Sequence, residues 1–120
     1  MKVVIAGSRG INDYEVVAQA VAESGFEVTL VISGHARGVD LLGEQWALKH
    51  DKPYLRMPAD WQTYGKSAGP IRNQRMGEFA DAAVIVWDGK SRGTRNMTDV
   101  MRRLDKPYYV KVVRDEKEEE

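Results

Sequence analysis

The chain has 120 residues, 42% hydrophobic and 30% charged, with no cysteine and a formal net charge of zero. That length fits one domain, and that balance excludes a disordered chain. It contains no apolar run of about 18 residues, no signal-like leader and no thiol, which excludes a predicted membrane span, a disulfide framework and a thiolate metal site.

In chain order, Lys2–Ala6 is a short apolar run and predicts a first strand. Tyr14–Ser24 predicts a helix with Val17, Ala20 and Val21 on one side and Gly25 as its stop. Val28–Ile32 predicts a second strand, and Val39–His50 a second helix with Val39, Leu42 and Trp46 inward and Leu41 and Leu48 in a neighbouring row. Pro53–Met57 predicts a third strand. The irregular piece Pro58–Gly69 follows, long enough for a functional loop. Pro70–Ala80 predicts a helix with Pro70 in its first turn and Met76 and Phe79 inward. Ala83–Trp87 predicts a fourth strand. Thr94–Leu104 predicts a helix with Met97, Val100, Met101 and Leu104 inward, and Pro107–Val112 a last strand. Trp46 and Trp87 are read as core.

Strands that are apolar throughout, alternating with helices, predict an α/β three-layer sandwich on a five-stranded parallel sheet. Residues 1–113 form the predicted single domain, and residues 114–120 a charged, flexible tail of five acids and two bases. Without that tail the chain carries a net charge of +3. This is too small for a dedicated duplex DNA binder.

The unusual residues follow the strands. Gly7-Ser8-Arg9-Gly10 follows the first and Ser33-Gly34-His35-Ala36-Arg37-Gly38 the second. Asp60, Trp61 and Tyr64 follow the third, and Asp88-Gly89-Lys90-Ser91-Arg92-Gly93-Thr94 the fourth. In a parallel sheet these loops share the carboxyl edge, where open α/β sheets bind ligands. Glycines permit close backbone approach, helix N-termini attract phosphate, hydroxyls donate, and Arg9, Arg37, Arg72, Lys90 and Arg92 supply charge. The combination predicts a phosphate-bearing ligand.

Arg72 shares a helix side with Met76 and Phe79, so its partner is either a ligand anion or a loop acid such as Asp60 or Asp88. Asn73 is placed to bond a sugar hydroxyl or to tie down a loop. Asp40 and Glu44 share a helix face as an acid/base pair, or else Asp40 complements the helix dipole and pairs with Arg37, the favoured reading. Asp60 and Asp88 are the candidate groups for ribose hydroxyls or acid/base work. Trp61 and Tyr64 stack on a base or form a lid. His35 and His50 have no ligand cluster at metal spacing, so no metal is expected. The chain lacks both G-x-G-x-x-G and the Walker order, which disfavours an ordinary dehydrogenase or NTPase.

Gly7-Ser8-Arg9, Ser33-Gly34-His35-Ala36-Arg37-Gly38-Val39-Asp40, Ala59-Asp60-Trp61, Gly69-Pro70-Ile71-Arg72-Asn73-Gln74-Arg75-Met76 and Asp88 through Thr94 together resemble the YspA-like branch of the SLOG superfamily. The resemblance spans residues 3 to about 110. It implies a Rossmann-like fold, strand order 3-2-1-4-5 and a nucleotide or nucleotide-derived ligand. The superfamily includes the LOG phosphoribohydrolases and the DNA-processing protein DprA. Against the LOG motifs Arg-Lys-x-x-Met and Pro-Gly-Gly-x-Gly-Thr-x-x-Glu, Arg72, Met76, Gly93 and Thr94 match, Asn73 replaces the lysine, and Met97 stands at the catalytic glutamate. Methionine is neither acid nor base, so the resemblance implies binding more than catalysis.

Three functions follow as expectations. The first is a cytoplasmic module that senses or sequesters a nucleoside monophosphate, an ADP-ribose or NAD-related compound, or a cyclic nucleotide, with no cofactor. The second is a hydrolase cutting an N-glycosidic or phosphoester bond in such a molecule, with Asp60, Asp88 and Arg72 as catalytic candidates. The third, single-stranded nucleic-acid binding, is disfavoured by the small charge. A homo-oligomer is expected only by likeness to the LOG enzymes.

Overall fold

A computed structural model describes residues 1–114; the expected tail, apart from Arg114, lies outside the described residues. Its elements run β1 (Lys2–Gly7), α1 (Tyr14–Ser24), β2 (Leu30–Ser33), α2 (Val39–Lys49), β3 (Tyr54–Arg56), α3 (Trp61–Tyr64), α4 (Ala68–Phe79), β4 (Ala82–Trp87), α5 (Arg92–Arg103) and β5 (Tyr108–Val112). A 3-10 turn, Gly65–Ser67, joins α3 to α4.

The five strands form one parallel sheet in the order β3-β2-β1-β4-β5. β1 sits at the centre, with Val3 opposite Val31 on one side and Ala82 on the other. Both faces are covered, which is why β1 and β4 are apolar at almost every position. Ile5, Val31 and Val84 face α1 and α2, packing with Val17, Val39 and Trp46. Val4, Ile32 and Ile85 face α4 and α5, packing with Met76, Met97 and Met101.

Local chemistry sets the helix ends. The Asp13 side chain accepts the Glu15 N–H at 3.0 Å to start α1, and Gly25 ends it in the left-handed conformation. The Lys106 ammonium closes α4 by donating to the carbonyls of Gly77, Glu78 and Ala80 at 2.8–2.9 Å.

Three expectations change. The segment 58–69 is mostly helical, because the Asp60 carboxylate accepts the Thr63 N–H at 3.1 Å and starts α3. Pro70 is the third residue of α4, still in the turn whose N–H groups need no intrahelical acceptor. Phe79 is 42% exposed rather than inward, under the Lys2 ammonium at 4.2 Å. α4 instead buries Asn73, Met76 and Gly77, and Gly77 lets α5 approach so closely that a β-carbon there would lie 2.6 Å from Val100. Trp87 is only partly buried; its indole N–H donates to the Ser91 carbonyl at 2.9 Å and braces the loop after β4.

Candidate ligand-binding cleft

A cleft of about 440 Å³ opens at the carboxyl edge of the sheet, over the end of β1. The chain leaves β1 for β2 on one side, and β4 lies on the other, so this is the switch point of the strand order. Gly7 and Arg9 come from the loop after β1, and Ala36 and Asp40 from the approach to α2. Arg72, Asn73 and Met76 come from α4, and Ser91 to Thr94 with Asn96 and Met97 from α5. Trp61, 51% exposed, stands at the lip beside Gly69 and Pro70.

The loop after β4 is held by its own hydrogen bonds. Asp88 Oδ1 accepts the N–H groups of Lys90 and Ser91, each at 2.8 Å. Burial alone would push the Asp88 carboxyl up, but those amides and the Ser8 hydroxyl hold it below its usual range. Ser91 then caps α5, its hydroxyl accepting from the Thr94 N–H at 3.5 Å and the Thr94 hydroxyl at 3.0 Å. Ser8 is fully buried behind this turn. Its hydroxyl accepts the Asp88 N–H at 3.0 Å and lies 3.5 Å from that of Thr94, tying β1 to β4.

Arg72 reaches across from α4. Its Nη1 donates to the Gly34 carbonyl at 2.8 Å and its Nε to Asn73 Oδ1 at 3.0 Å. Asn73 in turn donates to the Gly93 carbonyl at 3.2 Å and to Asn96 Oδ1 at 2.9 Å, so it ties α4 to α5. A β-carbon on Gly34 would lie 2.5 Å from Arg72 Nη1 and 2.7 Å from Asp40 Oδ2. A side chain there would push those two charged groups off the Gly34 backbone. The cation facing Asp40 is therefore Arg72, while Arg37 is exposed on the loop. Burial pushes the Asp40 carboxyl up to about 6, against the pull of the Ala36 amide, the Arg72 charge and the Gly7 amide. Neither Asp60 nor Asp88 is the partner found for Arg72.

Of the sequence-derived candidates, Gly7, Arg9, Trp61, Arg72, Asn73, Ser91, Arg92, Gly93 and Thr94 line the cleft. Ser8, Ser33, Gly34, Gly38 and Asp88 support it from outside the lining. Gly38, at φ 80°, lets the approach to α2 lie against the backbone of Ser8 and Arg9, where a β-carbon would come within 2.5 Å of the Ser8 carbonyl. The Ser33 hydroxyl is spent on Glu44 Oε2 at 2.7 Å. Glu44 also meets His35 Nδ1 at 2.8 Å and Arg56 Nε at 3.1 Å; these groups hold its carboxyl low although burial opposes them. Arg37, Gly89 and Lys90 lie outside the lining and are exposed. Asp60 lines a separate cleft of about 180 Å³ with Tyr64, Arg72 and Arg75, so Arg72 borders both. Hydrogen bonds from the Thr63 side chain and amide hold the Asp60 carboxyl low.

Asp40 is the one carboxylate lining the larger cleft among the described residues. A dipole argument treats it as a surface residue and misses this. The available signal is the buried stripe Val39, Asp40, Gly43, Glu44 and Ala47 on α2, where Gly43 sits against Ile5 and turns the acids inward. No group of three or more His, Asp or Glu among the described residues is arranged to hold a metal ion. No helix among them is long and apolar enough to cross a membrane.

The parallel sheet in this order, with an arginine-bearing cleft at its switch point, defines a Rossmann-like domain. The chain belongs to the YspA, cpYpsA-related SLOG family (YAcAr), whose family model matches residues 1–64. It is similar to the Gene 61 protein of Mycobacterium phage D29, with 34% identity over 105 residues that cover 79% of this chain and 83% of that protein. No solved structure gives a significant match. The family is consistent with a nucleotide-related small-molecule ligand. The matched residues carry the loops after β1, β2 and β3, whereas Arg72 and the α5 turn lie beyond them.

Proposed function

We propose that the cleft binds a nucleotide or nucleotide-derived molecule by its phosphate and holds it unchanged, as a sensor or sequestering module. The ligand classes are a nucleoside monophosphate, an ADP-ribose or NAD-related compound, or a cyclic nucleotide. Gly93 is the observation that carries this reading. It occupies the first turn of α5, and glycine is a poorer helix former than alanine. No contact within the protein requires it, since a β-carbon there would meet no atom within 4 Å. Yet it lines the cleft beside first-turn N–H groups that have no acceptor within their own helix. Space, the N–H groups of Arg92 and Gly93 and the positive end of a helix coincide, which suits a phosphate. Arg9, Arg72 and Arg92 add charge, and Trp61, Pro70 and Met76 offer apolar surface for a base.

Hydrolysis is the second reading, and Asp40 is what favours it: a buried carboxyl with a raised pKa, facing Arg72 in the cleft. Asp60 and Asp88 are less suited, because each is committed to a local turn or cap. Met97 lines the cleft and has no proton to exchange. Incubating purified protein with AMP, CMP, GMP, ADP-ribose, NAD and cyclic dinucleotides, read by mass spectrometry, separates the readings. A retained, unaltered compound supports the binding module. A free base or released phosphate supports the hydrolase, and neither retention nor turnover rejects both.

A further inference from the structure

Resting on the nucleotide reading, we infer that Asp40 is a specificity-determining residue that accepts hydrogen bonds from the ribose hydroxyls of the ligand, so that the cleft selects ribonucleotides over deoxyribonucleotides. The lining of the cleft differs in chemistry between two elements. The α5 turn, Gly93 and the Arg92 side chain are suited to an anion. The N-terminal turn of α2 presents Asp40, 5% exposed as a residue and the one acid in the lining among the described residues, with Arg72 beside it.

A carboxylate repels phosphate, so a ligand anchored at α5 turns its neutral part toward Asp40. In a nucleotide, the group joined directly to the phosphate is the sugar. The hydrogen-bond inventory fits a polyol there. A carboxylate has about four acceptor positions. Asp40 receives the Ala36 N–H at 3.1 Å and the Gly7 amide, leaving acceptor capacity for hydroxyl donors. The side chain is buried, its Oδ2 lying beside Gly34 and accepting the Ala36 N–H. Arg72, on the same side of Gly34 as Asp40, is tied to the Gly34 carbonyl and to Asn73, which fixes the cation beside the acid. The acid is thus held in place before a ligand arrives. A site built to pair a hydroxyl rejects the analogue that lacks it, since the buried acceptor is left without a partner.

The test compares ribose 5-phosphate with 2-deoxyribose 5-phosphate, and AMP with its 2′-deoxy and 3′-deoxy analogues, by calorimetry on the full chain. Inorganic phosphate is the base-independent and sugar-independent control. The wild type is expected to favour the ribose form by about tenfold or more, the worth of one hydrogen bond to a charged group. Asp40→Asn keeps an acceptor for the Ala36 amide, and Asp40→Glu keeps the charge but displaces it by one methylene. Both are expected to lower the ribose-to-deoxyribose ratio toward one while leaving inorganic phosphate binding in place. Equal affinity of the wild type for both sugars, with phosphate bound, overturns this inference and leaves the phosphate site standing. An unchanged ratio in the variants assigns the discrimination to another group and overturns it too. If no phosphate compound binds the wild type, the nucleotide reading itself falls.

Discussion

Asp40 is forced into an unfavourable charge state at neutral pH, and the cost is measurable. Arg72 on α4 and the amides of Ala36 and Gly7 favour its ionised form; burial and Glu44, one turn along α2, oppose it. Its pKa rises from 3.8 unfolded to about 6 in the folded protein. A raised acid pKa means that the folded state binds the proton more tightly, so this group's contribution to stability falls as pH rises from about 4 to 6. Two units correspond to roughly 2–3 kcal/mol. Asp40→Asn mimics the protonated form. Its unfolding free energy is expected to match the wild type near pH 4 and to exceed it by roughly that amount near pH 7. Denaturant unfolding across this range measures the difference; a constant difference rejects the shift. Arg72→Ala is expected to abolish nucleotide binding while circular dichroism stays native. Unchanged affinity in that variant removes Arg72 from the list of ligand contacts.

At the scale of the element, α5 sets structure against function within one residue. Gly93→Ala is expected to stabilise the helix by less than the roughly 0.5–1 kcal/mol of a helix-interior site, because the new methyl meets open space and alanine is the better helix former. The same methyl enters the cleft, so affinity for a nucleoside monophosphate falls. A variant that is more stable and binds equally well rejects the α5 turn as the phosphate site. The periodic elements were legible in the sequence: α1 runs from Tyr14 to Ser24 with its Gly25 cap as the spacing and punctuation imply. The loops after the strands were legible as chemistry, because glycine, serine and arginine cluster only there. The division of labour among them was not. Ser8, Ser33 and Asp88 look like ligand donors and acceptors, yet each is committed to a neighbouring loop or helix. Such commitments depend on contacts between residues up to 86 positions apart, as for Ser8 and Thr94. Asp60 shows the converse: its capping role is local and readable, and it turns a supposed loop into α3.

At the scale of the whole molecule, the sheet separates two apolar cores, and only one touches the cleft. Met101 and Met97 both pack in the core beneath α4 and α5, but only Met97 also lines the cleft. Met101→Ala is expected to cost about 2–5 kcal/mol of stability, with affinity per folded molecule unchanged. Met97→Ala is expected to change both. Equal effects of the two on affinity, measured well below the melting temperature, would show that the cleft responds to general loosening.

The central position of β1 has a consequence for a chain growing from the ribosome. β1 is made first, yet one of its neighbours, β4, begins 80 residues later. Until β4 emerges, one edge of β1 stays unpaired, and until α5 follows it, the α4 and α5 layer on one face of the sheet is incomplete. Parallel pairings between distant segments form slowly, so the nascent chain carries an open edge and bare apolar surface for much of its synthesis. The cleft is completed only when the last helix docks. A ligand of the proposed kind would therefore recognise only chains in which α5 has docked, and by mass action favour them over forms in which it has not.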